Sequence, residues 1–189
     1  MSTITVTVPA TSANLGPGFD CLGMALNLRN EFRFSPRLEG ISIDVNGEGS
    51  GSIPTDKSNL IVQSMQFLCD YVGRPLPGCH IEQINHVPAA SGLGSSSTAT
   101  VAGLMGANAL LGSPVDRDCI LKLATRIEGV EGWSYRRAME AVAASGAKPG
   151  DIAKSMHKLI GDSGKLLCNT YNLIIRSINT DLNTCSTVP

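Results

Sequence analysis

The chain has 189 residues, 42% of them hydrophobic but only 4% aromatic, and its net charge is -1. That length suits one domain of ordinary size with an aliphatic core, and the near-zero charge supplies no field for nucleic acid or an acidic membrane surface. No apolar run approaches the roughly 18 residues of a membrane span, and MSTITVTVPA has neither the basic region nor the apolar stretch of a signal peptide, so a cytoplasmic protein without nucleic-acid or membrane partners is expected.

Residues 3 to 8, TITVTV, alternate β-branched apolar and polar side chains, the signature of a strand. Pro9 is expected to end it, with ATSANLGPGFD as a loop. CLGMALNL resumes an apolar pattern, and EFRFSPR alternates again. ISIDVNGEG reads as a strand closing on a turn at Asn46-Gly47. From Asn59 to Tyr71 the apolar spacing is helical, through Leu60, Ile61, Ser64, Met65 and Leu68, with Ser58 as the expected N-cap. GCHIEQINHV is expected to be a strand that ends at Pro88. An Ala-rich helix follows to about Leu111, and Asp116 or Asp118 opens another that runs to Gly129.

Beyond Gly129 an acidic excess gives way to a basic one. SYRRAMEAVAASG (Ser134 to Gly146) and GDIAKSMHKLIG (Asp151 to Gly161) read as short helices. LLCNTYNLIIRSI fits a strand or a buried helix, and the polar end NTDLNTCSTVP is expected to fray. Cys21, Cys69, Cys79, Cys119, Cys168 and Cys185 contain no C-x-x-C pair, and His80, His86 and His157 stand far apart. No metal-ligand spacing results, and reduced thiols, buried or half-buried, are expected.

The chemistry concentrates in PAASGLGSSSTATVAGLMGANALLG, Pro88 to Gly112. The first turn of a helix leaves about four backbone N–H groups unpaired, and the helix dipole adds roughly half a positive charge there. An anion is stabilised at such a point. Gly92 and Gly94 permit close approach of a phosphate, and Ser95, Ser96 and Ser97 bring hydroxyls that can donate to phosphate oxygens or ligate Mg2+. The small residues behind them, Ala99, Ala102, Gly103, Gly106 and Ala107, allow tight packing on a sheet. The loop is not a Walker A motif. The Gly161-to-Lys165 stretch is not one either, since Leu159 and Leu166 stand where Gly and Ser or Thr are required. Taken alone, a Gly/Ser turn before a helix is more often structural than anion-binding.

VPATSANLGPGFDCLGMAL (8 to 26), with PAASGLGSSS (88 to 97) and the intervening IPTDKSNLIVQSM (53 to 65), resembles the GHMP small-molecule kinases, and the first stretch resembles their homoserine kinase branch. The resemblance spans about residues 3 to 128. It implies an α+β fold like domain 2 of ribosomal protein S5, with ATP and Mg2+ as cofactors and transfer of a phosphoryl group to the hydroxyl of L-homoserine, a step of threonine biosynthesis. It assigns Asn14 and Asp20 to the amino-acid substrate. It assigns Asn59 and Leu60 to the adenine, and Pro88, Ala89, Ala90, Ser91, Gly92, Leu93, Gly94, Ser95, Ser96 and Ser97 to the triphosphate. Ser96 and Glu128 become the metal ligands. Structural alternatives stand beside these roles: an Asx-turn for Asn14, a helix cap for Asp20, a solvated carboxylate for Glu128. No catalytic base is identified, and phosphoryl transfer proceeds mainly by positioning and charge neutralisation.

The resemblance stops where Val130-Glu131-Gly132-Trp133 follows Gly129. The family continues there with His-Pro-Asp-Asn, and its third, C-terminal glycine-rich motif and substrate-gripping arginines have no counterpart. Two domains are therefore expected, a nucleotide- and substrate-binding unit at 1–128 and a divergent helical tail at 129–189, the family's C-terminal domain being absent or truncated. A fragment, a frameshifted or spliced product and a shortened relative with a replacement tail all remain open. So do a homodimer, another GHMP kinase such as mevalonate or diphosphocytidyl-methylerythritol kinase, and a non-catalytic piece that binds nucleotide or a partner subunit. The T-S-A-N-L-G-P-G-F-D segment argues against the other kinases.

Overall fold

The computed structural model describes residues 2–15 and 18–128. The expected tail helices and the 166–178 segment lie outside the described residues. Within them the chain forms β1 (Ile4–Leu15), β2 (Gly18–Pro36), β3 (Ile41–Gly47), α1 (Leu60–Val72), β4 (Cys79–Asn85), α2 (Ser95–Leu110) and α3 (Arg117–Ile127). The strands make one sheet in the order β1-β2-β4-β3. β1–β2 and β2–β4 are antiparallel, whereas β3 runs parallel to β4 because α1 lies between them as a crossover. This is the α+β fold expected from the sequence.

Alternation decides which face of the sheet is covered. Phe32 and Phe34 of β2, Val6 and Val8 of β1 and Ile81 of β4 are buried. They join Ile61, Met65 and Leu68 of α1, Val101 and Leu104 of α2, and Ile120 and Leu123 of α3 in one core. The other face is polar: Arg33 reaches Glu31 at 2.6 Å and Glu82 at 3.3 Å, and Ser42 Oγ lies 2.8 Å from His80 Nδ1. Cys69 and Cys79 are buried free thiols and Cys119 is a half-buried one. No described helix is long and apolar enough to cross a membrane.

Two local expectations are corrected. Pro9 does not end the first strand, and of the expected loop residues 10–15 and 18–20 lie in strands. β1 is an edge strand, where a residue without an N–H is tolerated, and the ladder absorbs Pro9 by a register shift between Pro9 and Thr11. The pairs Ser12–Met24 and Ala13–Gly23 then continue the hairpin. The cap of α1 is Asn59, not Ser58. Asn59 Oδ1 accepts from the Ile61 N–H at 2.8 Å, and Ser58 instead donates its N–H and hydroxyl to Asp56 Oδ1 at 2.8 and 2.6 Å. These two donations hold the Asp56 carboxyl below its ordinary range. The expected cap of α3 holds: Asp116 accepts from the Cys119 N–H at 2.9 Å.

Helix α2 sits at the centre of the helical layer. A Cβ on Gly103 would stand 2.5 Å from the Ile61 carbonyl oxygen, and one on Gly106 would stand 2.5–2.7 Å from the Phe34 ring. The small residues thus bring α2 against both α1 and the sheet.

Candidate functional site

The loop from Pro88 to Gly94 is built by backbone conformations that few residues tolerate. Ala90 has φ 54°, Gly92 φ 76° and Gly94 φ 70°. Gly94 is required twice over, because a Cβ there would also come within 2.7 Å of Thr11 Oγ1. Thr11 donates its N–H to the Leu93 carbonyl at 3.0 Å. The register shift at Pro9 therefore turns a sheet-edge donor toward the loop.

Gly94 is the N-cap of α2, and no side chain caps this helix, whereas Asn59 caps α1 and Asp116 caps α3. Among the described residues the N–H groups of Ser95, Ser96 and Ser97 are left for a ligand or water. The three serines divide in role. Ser95 Oγ donates to the Val87 carbonyl at 3.3 Å and fastens the loop. Ser97 is half-buried, and Ser96 is exposed at the helix tip.

A buried residue that periodicity alone does not single out fixes the loop. Asn30 of β2 is 1% exposed. Its Oδ1 accepts from the His86 and Val87 N–H groups at 2.8 and 2.9 Å, and its Nδ2 donates to Thr98 Oγ1 at 2.8 Å. One amide thus ties the end of β4, the loop and the first turn of α2 together. Its only sign in the sequence is its place two residues before Phe32, on the alternation that Phe32 and Phe34 continue.

A cavity of about 460 Å³ opens between this loop and the start of α1. Of the residues assigned from sequence, Asn59, Leu60, Ala89, Ala90, Ser91, Gly92, Gly94, Ser95 and Ser96 line it, together with Ile53, Pro54 and Gln83. Pro88 and Leu93 belong to the same loop and Ser97 to the same helical turn. Asn59 is buried and its amide is already engaged: Nδ2 donates to the Pro54 carbonyl at 2.7 Å and more distantly to Gln83 Oε1 at 3.4 Å. Gln83 in turn donates to Asn85 Oδ1 at 3.2 Å, and Asn85 to the Glu48 carbonyl at 3.0 Å. A chain of amides therefore underlies the cavity, and Gln83 and Asn85 had no signal in the sequence beyond polar residues on the buried face of a strand. A larger hollow of about 800 Å³ lies on the far flank of α1, lined by Ile41, Val62, Phe67 and Leu76 among others. It contains none of the assigned residues.

Glu128 closes α3 and is exposed. Its Oε1 accepts from Thr100 Oγ1 at 3.2 Å. Thr100 stands one turn after Ser96 on α2, so the carboxylate and the Ser96 hydroxyl belong to the same side of that helix. No group of three or more His, Cys, Asp or Glu side chains that could hold a metal is formed among the described residues. An oxygen donor pair of one hydroxyl and one carboxylate nevertheless suits Mg2+, which takes few protein ligands and fills its octahedron with phosphate oxygens and water. Asn14 lies in β1 and Asp20 in β2, near the tip of the hairpin that Thr11 joins to the loop.

The sequence matches the family described as GHMP kinases N terminal domain over residues 59–156, more than half of the chain. It is 48% identical over 131 residues to a homoserine kinase of Trichodesmium erythraeum, covering 68% of this chain and 43% of that protein. A homoserine kinase of a Nostoc species is 49% identical over 131 residues, with 68% and 42% covered. The crystal structure of a homoserine kinase from Cytophaga hutchinsonii superposes with a TM-score of 0.60 at 34% identity, covering 68% of this chain and 41% of that one. The mevalonate kinase of Methanococcus jannaschii, at 18% identity and a TM-score of 0.55 over 67% of this chain and 46% of its own, shares the fold. The chain spans less than half the length of these relatives.

Proposed function

We propose, from the premise that this chain belongs to the GHMP kinases through their N-terminal domain, that it is homoserine kinase-like: it binds ATP with Mg2+ and phosphorylates the hydroxyl of L-homoserine to O-phospho-L-homoserine, a step of threonine biosynthesis in the cytoplasm. The observation that carries the reading is one cavity, lined both by the start of α1 and by the glycine–serine loop that leads into the uncapped N-terminus of α2. Similarity to homoserine kinases over 131 residues supports homoserine as the substrate in this reading.

In this reading the base sits against Asn59 and Leu60. The amide of Asn59 is engaged by α1 and Pro54, so its part is to shape the wall. The triphosphate lies along residues 88–97, where unpaired N–H groups and the helix dipole offset its charge. Ser96 and Glu128 would hold Mg2+, which neutralises the phosphate oxygens when bound. Asn14 and Asp20 would hold homoserine, the Asp20 carboxylate matching its ammonium. The chain's contribution is orientation: two substrates fixed in line, with water kept from the phosphoryl group. No residue is assigned as a base. Residues 1–128 form the substrate- and nucleotide-binding unit in this proposal, and 129–189 a separate tail.

Binding of a non-hydrolysable ATP analogue by the full chain tests the reading, since a ligand that binds only the folded state raises the melting temperature. A rise with millimolar analogue and Mg2+ is expected, and, with ATP in place of the analogue, homoserine-dependent ADP release. An unchanged melting temperature overturns it. A second reading is a nucleotide-binding unit without turnover, carried by the same cavity and uncapped helix start. A thermal shift without ADP release selects it.

A further inference from the structure

We propose that Thr100 is a positioning residue that holds the Glu128 carboxylate ready for a divalent cation at the Ser96 tip of α2; this rests on the nucleotide-binding reading above. Ser64 Oγ returns to the Leu60 carbonyl at 2.7 Å, Thr98 Oγ1 to the Ser95 carbonyl at 2.7 Å and Thr125 Oγ1 to the Lys122 carbonyl at 2.8 Å. Such bonds back to the preceding turn are the usual outcome for a helical Ser or Thr. Thr100 differs. It is 0% exposed, yet its hydroxyl leaves its own helix and donates to Glu128 Oε1, 28 residues on, at the end of α3.

That bond has a geometric result. Residues four apart on a helix are neighbours, with Cβ atoms about 5–6 Å apart. Ser96 is four residues before Thr100, exposed, and at the first turn, where the backbone N–H groups are uncapped. A long exposed Glu side chain at a helix end would otherwise sample many rotamers. Anchored by Thr100, it is kept on the side of α2 that carries Ser96, with one oxygen engaged and the other free of Thr100. A ligating carboxylate that is itself hydrogen-bonded is the arrangement by which outer groups orient metal ligands. Thr100 touches neither metal nor phosphate in this scheme and acts only through Glu128.

The test is a titration of Mg2+ against the full chain at a fixed concentration of a non-hydrolysable ATP analogue, read by calorimetry, with Mn2+ followed by electron paramagnetic resonance as a direct report of metal binding. Thr100→Val keeps the shape and removes the donor. It is expected to raise the half-saturating metal concentration by about tenfold, the low end for loss of an outer-shell partner. Metal-free nucleotide affinity should stay at the wild-type value, and Thr100→Ser should restore metal affinity. A Val variant that titrates like wild type, or one that loses metal and metal-free nucleotide affinity together, overturns the proposal. Glu128→Gln, on an exposed side chain, tests the carboxylate on which the Thr100 role depends without touching the core: it is expected to weaken metal binding at least as much, and a wild-type metal response there overturns the proposal even if the Val variant does not fold. Absence of nucleotide binding by the wild-type chain is a different result. It removes the nucleotide reading itself, and the Thr100 role falls with it.

Discussion

Asn30→Ala is the perturbation that most directly tests how the loop is held. The amide of Asn30 makes three hydrogen bonds, two accepted from His86 and Val87 and one donated to Thr98. Val87 is fully buried, and its N–H would be left without a partner. A buried unsatisfied donor costs about 1–3 kcal/mol. His86 is exposed, so water can replace its bond at little net cost. The lost bond to Thr98, itself buried, adds about 0.5–1.5 kcal/mol. The sum is about 1.5–4.5 kcal/mol, a large share of the roughly 5–15 kcal/mol that holds a domain together. Urea unfolding of the full chain measures it as a lower midpoint with unchanged slope. Amide exchange at Val87 should accelerate more than exchange in β2. A loss below about 0.5 kcal/mol, or an unchanged Val87 exchange rate, would refute the claim that this amide fastens the loop.

Other perturbations follow from the same geometry. Gly106→Ala places a methyl against the buried Phe34 ring, and overpacking of about 1–3 kcal/mol should outweigh the roughly 1 kcal/mol gain in helix propensity; a stabilised variant in urea unfolding would contradict the packing. Burial pushes the Cys79 thiol up to about 11 from an ordinary 9.0. The folded state then retains a proton that the unfolded state loses, so the contribution is fully present below pH 9 and fades as pH rises toward 11. Stability measured across that window should fall less steeply in Cys79→Ala, and equal slopes would remove the assignment. Asp20→Asn should weaken homoserine binding in calorimetry while nucleotide affinity stays at the wild-type value; equal losses for both ligands would point to a folding defect.

The legible parts of the fold were those with a strong local period. EFRFSPR reads as an alternating stretch, and the residues two apart in it, Phe32 and Phe34, are both buried. The helical spacing of residues 59–71 likewise matches α1. The glycine–serine turn was legible as a helix boundary, and α2 does begin directly after Gly94. What escaped was set by partners far along the chain. Pro9 reads as a terminator, but its tolerance depends on β1 being an edge, a property of the sheet order and not of the local sequence. Ser58 and Asn59 are equally good caps by residue type; the choice fell to Asn59, whose amide also meets Pro54 and Gln83, leaving Ser58 to Asp56. Asn30 and Thr100 act across 56 and 28 positions, which no window of sequence spans.

The composition of α2 has a consequence for how the loop comes into being. SSSTATVAGLMGANAL carries three serines, two threonines and two glycines, and each glycine alone costs a helix about 1 kcal/mol relative to alanine. As a free segment it would be mostly coil. Its winding is imposed by the surfaces of α1 and Phe34 that Gly103 and Gly106 fit against. The uncapped tip that faces the cavity therefore exists only after strands and helices distant in sequence have docked, so a substitution deep beneath α2, nowhere near a phosphate, can abolish the site by denying that segment its mould.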